Sequence, residues 1–518
     1  MGSVLDKEAG KRATTVYLAW TNIPMLPREL SENLCSLMPD VPRRTFSVIF
    51  KLNEKGEIME EPWFGKSQIK TAAKIDYDSA QAVIEGHSLP DSVEVSGRFT
   101  RQAVEQSILM LNGMARHMRH TRFTTGGSLS LDNIKVYFIV DPDTGKPIGV
   151  KPYRQKEANN LIEEFMLLAN KAVGKKILTT YPSGALLRRH PAPGERKLSD
   201  MRSWAAKVGL KVDPTTAATL NRSLKEYEDD FVALLSLRAM TTKPMNLAKY
   251  TQTSAEDNPQ EAYHHYGLNF ITYTHFTSPI RRYADLVVHR ILAASLAQMP
   301  APYTEDELSR IAHTCNNKKL MADRAQDDSD EVFLCQYVNG LPGKKLLNMH
   351  AVVLEVFKTG VEICVPELAW ESRLIFSNFE SCKPDANNVS LELIVREKAK
   401  KKERRGKKEG DKDDVELKDT EQEGQSSQQK EKGGEVEKVT IAVFDPLLVD
   451  VFVKEMRKSP VLDCTVVLSS LLALKDIDRS AAARRERGRE LKERVFPSQK
   501  PEEGLQDSLS ERDPQLRM

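Results

Sequence analysis

Residues 273–290 read YTHFTSPIRRYADLVVHR, and the fold and chemistry of the whole chain turn on this stretch. Thr277 or Ser278 is suited to capping the free amides of a helix, Pro279 suits its first turn, and Ile280, Ala284, Val287 and Ile291 recur at helical spacing. The spacing predicts an amphipathic helix with Arg281 and Arg282 at its entrance, where backbone amides also favour anions. Two adjacent guanidinium groups suit a phosphodiester, because each planar fork donates two parallel hydrogen bonds and stays charged at neutral pH. The plainer alternative is a surface pair between Arg281 and Asp285, four residues apart, contributing about 0.3 to 0.5 kcal/mol.

The string as a whole resembles the signature helix of the RNase II/RNase R family, whose RNB domain degrades RNA processively from the 3′ end. That resemblance implies contact with the scissile phosphate for Arg281, with Arg282 beside it on the RNA. It extends over most of the chain. RATTVYLAWTNIPMLPREL, residues 12–30, is similar to the family segment that carries the tyrosine clamping the 3′-terminal base, which falls on Tyr17. Tyr77, in AKIDYDSAQ, matches a second family tyrosine near the RNA end. NNLIEEFMLLAN, residues 159–170, resembles the helix whose first glutamate contacts the terminal nucleotide, here Glu163. Counting forward from Arg281, a family glutamate falls on Asp323 in LMADRAQ, which keeps the charge and shortens the reach. LLRRHPAP and EEFMLLANKAV lean toward the eukaryotic cytoplasmic members rather than the bacterial ones.

These residue types suit the chemistry. An aromatic face stacks on any base for about 1 to 3 kcal/mol regardless of sequence, which an enzyme walking along an arbitrary strand requires. The alternative for Tyr17 and Tyr77 is an ordinary core tyrosine. Leu161, Phe165, Leu168 and Ala172 share one helical face and leave Glu163 toward another side, where solvent is the usual surrounding of an acid. Asp323 has the same alternative.

One departure from the family pattern is chemical. The resemblance implies two Mg2+ (or Mn2+) ions held by four aspartates spaced D-x5-D-x-D-D, a few tens of residues before the clamp tyrosine. Tyr17 leaves no room for them, and neither Asp229–Asp230, Asp327–Glu331 nor Asp411–Asp414 has that spacing. Hard divalent ions need oxygen ligands to activate water and shield the developing charge. No metal ligand is therefore expected in this chain, which reads as the downstream part of an RNB enzyme. Two functions follow: a 3′ to 5′ exoribonuclease releasing nucleoside 5′-monophosphates by family, or an RNA-binding remnant without hydrolysis. A scaffold protein has little support beyond the charged insertion. A second departure lies near Leu131, where bacterial members use an aromatic jaw and only apolar contact is expected here.

Composition bounds the rest. With 518 residues, 40% of them hydrophobic, the chain can bury at least two cores. Its formal net charge is only +2, so RNA binding must come from local clusters such as Arg281 with Arg282, Arg188 with Arg189 or Lys175 with Lys176. Helix-end charge is the plain reading of most such pairs. Cys35, Cys315, Cys335, Cys364, Cys382 and Cys464 show no C-x-x-C pair and suggest reduced thiols. No stretch reaches about 18 uninterrupted apolar residues. A cytoplasmic monomer acting on single-stranded RNA 3′ ends, with a preference for uridine tails implied by the resemblance, is the expected setting.

The fold class is α+β. Strands at 45–51 and 136–140 and helices around 102–119, 159–174, 220–240 and 304–326 make up an RNB-like ribonuclease domain over 1–340. Short β-rich runs at 349–356, 360–365, 390–395 and 439–453 suit a small S1/OB-type barrel over 341–457, which in this position implies single-strand binding. Residues 396–438, basic then acidic and almost free of apolar side chains, are expected to be a disordered insertion, and 477–518 a disordered charged tail.

Overall fold

The computed structural model describes residues 2–131, 134–376, 382–385, 387, 389–396, 436–454 and 460–497. Helices dominate the first two thirds, each where apolar spacing and a cap coincide. Thr100 caps Arg101–Thr124, Thr304 caps Glu305–Gly340 in a capping box with Glu307, and Asp230 caps Phe231–Thr242. The single helix expected over 220–240 is two, Ala217–Lys225 and Phe231–Thr242, because Asp230 turns inward to accept from the Ala233 amide.

The signature stretch also starts later than its composition suggests. Its helix runs Tyr283–Leu296 with Arg282 in extended conformation at the N-cap and no side-chain cap bond from Thr277 or Ser278. The Tyr283 amide instead donates to the Ala13 carbonyl at 2.8 Å, and Asp285 inside the first turn accepts from the Ser278 amide of the preceding loop at 2.7 Å. Ala284, Val287 and Ile291 are buried as their spacing predicts, but Val288 and Leu292 are equally buried. The helix is enclosed on nearly every side. With Glu157–Thr180, the strand Leu186–Arg189 and the long helix Glu305–Gly340 it forms one hydrophobic core.

The barrel is present and larger than expected. Five strands lie in the spatial order Trp370–Ile375, Gly360–Val365, Lys345–Phe357, Pro446–Lys454, Val461–Val466, all neighbours antiparallel. The two edge strands meet, with Ser372 and Cys464 joined by a side-chain hydrogen bond, so the sheet is nearly closed. Three further strands, Cys382–Pro384, Ser390–Arg396 and Val436–Ala442, form a second sheet. The expected run 439–453 is thus two strands turning at buried Asp445, and the barrel boundary moves past 457 to Val466.

The break expected after residue 340 is not a break in packing. Leu334, Cys335 and Val338 at the end of the long helix share a core with Val353, Ile363 and Val449 of the barrel. Leu131 also packs against this core. Most of the insertion, 397–435, lies outside the described residues, while Arg396 and Val436 to Lys438 belong to strands.

The tail differs from its expectation. Residues 481–495 form a helix capped by Ser480, with Leu491 and Val495 buried and Gly488 against the Phe231 amide. Its Arg484 pairs with buried Asp230 at 2.8 Å. Charged composition hid two apolar contacts and one ion pair. Residues 498–518 lie outside the described residues. Among the described residues no helix is long and apolar enough to cross a membrane.

Candidate nucleic-acid site

The site is assembled on two extended segments stitched by backbone hydrogen bonds. The Thr15 amide donates to the Arg281 carbonyl at 3.0 Å, the Thr14 hydroxyl donates to the same oxygen at 3.2 Å, and the Tyr283 amide donates to the Ala13 carbonyl at 2.8 Å. Tyr17 follows directly, in a short ladder opposite Asn22 that closes through a tight turn from Leu18 to Thr21. At the tip of that turn the Ala19 amide donates to the Ser329 hydroxyl of the long helix at 3.1 Å. Tyr17 is thereby fixed between the signature segment and the long helix.

The loop before Arg281 is pinned from below. Buried Asn170 accepts the Phe276 amide at 2.8 Å and donates to the Tyr273 hydroxyl at 3.1 Å. On the same helix Gly174 leaves room for this loop, since a Cβ there would lie 3.3 Å from the Thr274 nitrogen. His289 bonds the Phe276 carbonyl at 2.8 Å from the far side. The Arg281 backbone is consequently held from three directions.

A cavity of about 170 Å3 opens between these elements. Tyr17, Arg281, Arg282 and Asp323 all line it, so four of the six residues picked from the sequence converge on one place. Tyr77 and Glu163 do not line it. Tyr77 opens the helix Tyr77–Ile84 behind the Asp76 cap. Glu163 accepts from Arg119 at 3.0 Å and Arg122 at 2.9 Å, and its neighbour Glu164 is buried against Arg122 rather than turned to solvent. Glu163 shares a helix face with Asn170, two turns or about 10 Å further along.

The two signature arginines have different surroundings. Arg282, not Arg281, pairs with Asp285, both its bonds at 2.8 Å, so the plainer alternative of an Arg281–Asp285 surface pair does not form. Burial alone would lower the Arg282 pKa, but the fully buried Asp285 beside it raises it well above the ordinary value, so this cation is permanent and internally neutralised. Arg281 has a buried Nε without a hydrogen-bond partner. Asp323 pairs with Lys319 one helical turn earlier.

Arg188, which the sequence offered only as half of a basic pair, also lines the cavity, as do Tyr250, His275 and Lys319, which sequence reasoning did not single out. His275 stands inside the signature stretch, and Arg188 stands in a basic pair read as helix-end charge. That pair is instead on the strand Leu186–Arg189, where alternation turns Arg188 to the cavity while Arg189 donates to the Ala262 carbonyl at 3.2 Å. Burial holds His275 neutral, well below its usual pKa, and pushes the Tyr250 phenol up. The phenol and His275 Nδ1 share a hydrogen bond at 2.7 Å.

A divalent cation does not fit this donor set. The cavity is lined by Arg188, Arg281, Arg282 and Lys319, and its acid is already paired. Among the described residues no group of three or more His, Cys, Asp or Glu side chains is arranged to hold a metal ion. What the cavity offers is hydrogen-bond donors and positive charge beside the aromatic rings of Tyr17 and Tyr250, which suits a phosphate carrying an attached base.

Comparison with known proteins agrees with that chemistry. Residues 1–298 match the family model for the RNB domain. The chain is 40% identical over 385 residues to the DIS3-like exonuclease 2 of Xenopus tropicalis, covering 72% of this chain and 45% of that protein. It is 32% identical over 446 residues to the inactive exonuclease DIS3L2 of Arabidopsis thaliana, covering 76% of this chain and 41% of that protein. The chain thus spans less than half the length of these curated relatives. Among solved structures, Mycoplasma genitalium RNase R in complex with ribose-methylated single-stranded RNA aligns with a TM-score of 0.67 at 20% identity, over 90% of this chain and 64% of that one. Yeast Ssd1, a pseudonuclease, aligns with a TM-score of 0.69 at 22% identity, over 90% and 62%. At these identities the likeness is one of fold.

Proposed function

From the premise that the chain belongs to the RNB-domain exoribonuclease family, we propose that its cavity grips the 3′ end of single-stranded RNA and that these residues alone do not hydrolyse it. Arg281 bonds a backbone phosphate and Tyr17 stacks on a base. The observation that carries this reading is the contrast between the two arginines: Arg282 is neutralised inside the fold, whereas Arg281 Nε is buried, unpaired and beside the cavity. A buried guanidinium nitrogen without a partner costs free energy that an incoming phosphate oxygen recovers.

Hydrolysis in the 3′ to 5′ direction to nucleoside monophosphates, with Mg2+ or Mn2+, is proposed for the family's metal-bearing members. The donor set here supports binding without that step. Glu163 and Tyr77 act further along the RNA in this reading, and Asp323 restrains Lys319 at the cavity wall. The barrel after residue 341, of S1 type, holds the upstream strand. Cytoplasmic location, a monomeric state and a preference for uridine tails belong to the same proposal.

The test is to titrate purified chain into a fluorescent 3′-tailed oligonucleotide with Mg2+ present, scoring both binding and monophosphate release. Binding that Arg281→Ala and Tyr17→Ala each weaken, with no release, is expected. Release of monophosphates would overturn the claim that these residues do not hydrolyse, and binding unaffected by either substitution would overturn the site.

A further inference from the structure

We propose that Arg188 is a second phosphodiester-binding residue of the cavity, gripping the backbone of the bound strand alongside Arg281. The inference rests on the reading of the cavity as an RNA 3′-end site and deepens it. Of the cations that line the cavity, Arg282 is matched by Asp285 and Lys319 by Asp323. No carboxylate among the described residues pairs with Arg188 or Arg281. Those two guanidinium groups carry the positive charge that nothing inside the fold cancels.

Arg188 is built to stay where it is. Its backbone pairs directly with Tyr250 in a two-stranded ladder, and its amide donates to the Tyr273 carbonyl at 2.8 Å on the other side. The guanidinium lies over the Tyr250 ring at 4.9 Å from the centroid, which fixes its plane and leaves its N–H edge free to bond. Tyr250 is in turn locked, its amide to the Asn316 side chain at 2.7 Å, its carbonyl to the same side chain at 2.9 Å and its hydroxyl to His275. A fork held this rigidly loses little entropy on meeting a phosphate. The acceptor it fits is an anionic, planar-forked oxygen pair, as in a phosphodiester.

The experiment measures anisotropy of a fluorescent single-stranded oligouridylate over a series of KCl concentrations, with wild type, Arg188→Ala, Arg188→Lys and Arg189→Ala, each checked for folding by thermal melting. Arg188→Ala is expected to weaken binding roughly tenfold and to flatten the plot of log affinity against log salt by about 0.7, one phosphate contact on a single strand. Arg188→Lys keeps the slope and loses several-fold in affinity, because it keeps the charge and loses the fork. Arg189→Ala, whose side chain bonds a carbonyl outside the cavity, stays near wild type.

A merely structural role would lower melting temperature without moving the salt slope. An unchanged slope in a folded Arg188→Ala would overturn the inference and leave the 3′-end reading standing. If the alanine variant does not fold, Arg188→Lys carries the test, and wild-type affinity in it would overturn the inference. A wild-type chain that binds no single-stranded RNA would sink both.

Discussion

Arg282 donates from Nε and Nη2 to the two carboxylate oxygens of Asp285, each at 2.8 Å, although the two residues stand only three apart at a helix entrance. Asp285 also holds the Ser278 amide, so one fully buried carboxylate ties the arginine, the turn before it and the first turn of the helix together. Asp285→Asn should therefore destabilise the chain by about 3 kcal/mol in urea unfolding, because it leaves a buried guanidinium uncompensated. Arg281→Ala should stay within about 1 kcal/mol of wild type, since its side-chain Nε makes no bond to lose and its carbonyl remains in place. Equal destabilisation by the two substitutions would contradict the division of roles.

Acid should loosen the floor of the site through its histidines. His265 accepts the Leu268 amide on Nδ1 at 3.2 Å, which only the neutral ring can do. Burial first, then the charge coupling to His190 and Arg188, depress its pKa to about 3 from an ordinary 6.5. The folded state thus binds fewer protons than the unfolded one, and the stability His265 contributes is complete above about 6.5 and is lost as pH falls toward about 3. Urea midpoints measured from about pH 7 to about pH 4 should fall steadily. His265→Asn, whose amide oxygen can take the Leu268 amide, should reduce that slope. A pH-independent midpoint in wild type would show that the ring is not held neutral.

How much of this was legible in the sequence follows from what each residue depends on. Ala284, Val287 and Ile291 announce a buried helix because apolar periodicity acts locally. Tyr17, Arg281, Arg282 and Asp323 were picked out by the spacing of motif strings, and the structure brings all four to one cavity. Arg188 was legible only as half of a basic pair and Tyr250 not at all, because the ladder joining them crosses more than sixty positions of chain, and nothing in RR or KYTQ encodes that pairing. The alternative of an Arg281–Asp285 pair fails for a related reason, since Asp285 pairs with Arg282 instead. An i,i+4 rule assumes both residues are helical, and Arg282 is extended. The helix 481–495 was read as solvated because nine of its side chains are charged, while its burial depends on Leu491, Val495 and the absence of a side chain at Gly488.

That last helix is clamped by one ion pair. Arg484 donates to Asp230 at 2.8 Å, and Asp230, almost wholly buried, also caps the helix Phe231–Thr242. Arg484→Met keeps the stem and leaves the carboxylate unpaired, so a loss of about 3 kcal/mol is expected. Limited proteolysis should then cut between residues 481 and 495 well before the rest of the chain. Resistance equal to wild type would mean that apolar contact alone holds the helix.

The N-terminal helix Val4–Arg12 carries a comparable anchor, close in sequence to Tyr17. Asp6 accepts from Arg290 at 2.5 Å and from the Tyr283 hydroxyl at 3.0 Å, immediately before the segment whose backbone is stitched to Arg281. Burial alone would raise the Asp6 pKa, but the bonds from Arg290 and the Gly2 amide bring it below the ordinary 3.8. Its contribution is therefore present above about 3.8 and is lost as pH falls through the lower folded value. Asp6→Asn removes the charge and keeps the shape, and about 1 to 2 kcal/mol of local stability should go with it. Amide hydrogen exchange should quicken across residues 4–12 while the signature helix stays protected, and RNA affinity should drop several-fold as Tyr17 loses its frame. Unaltered exchange in that segment would mean that the stitch between Thr15 and Arg281 holds Tyr17 unaided.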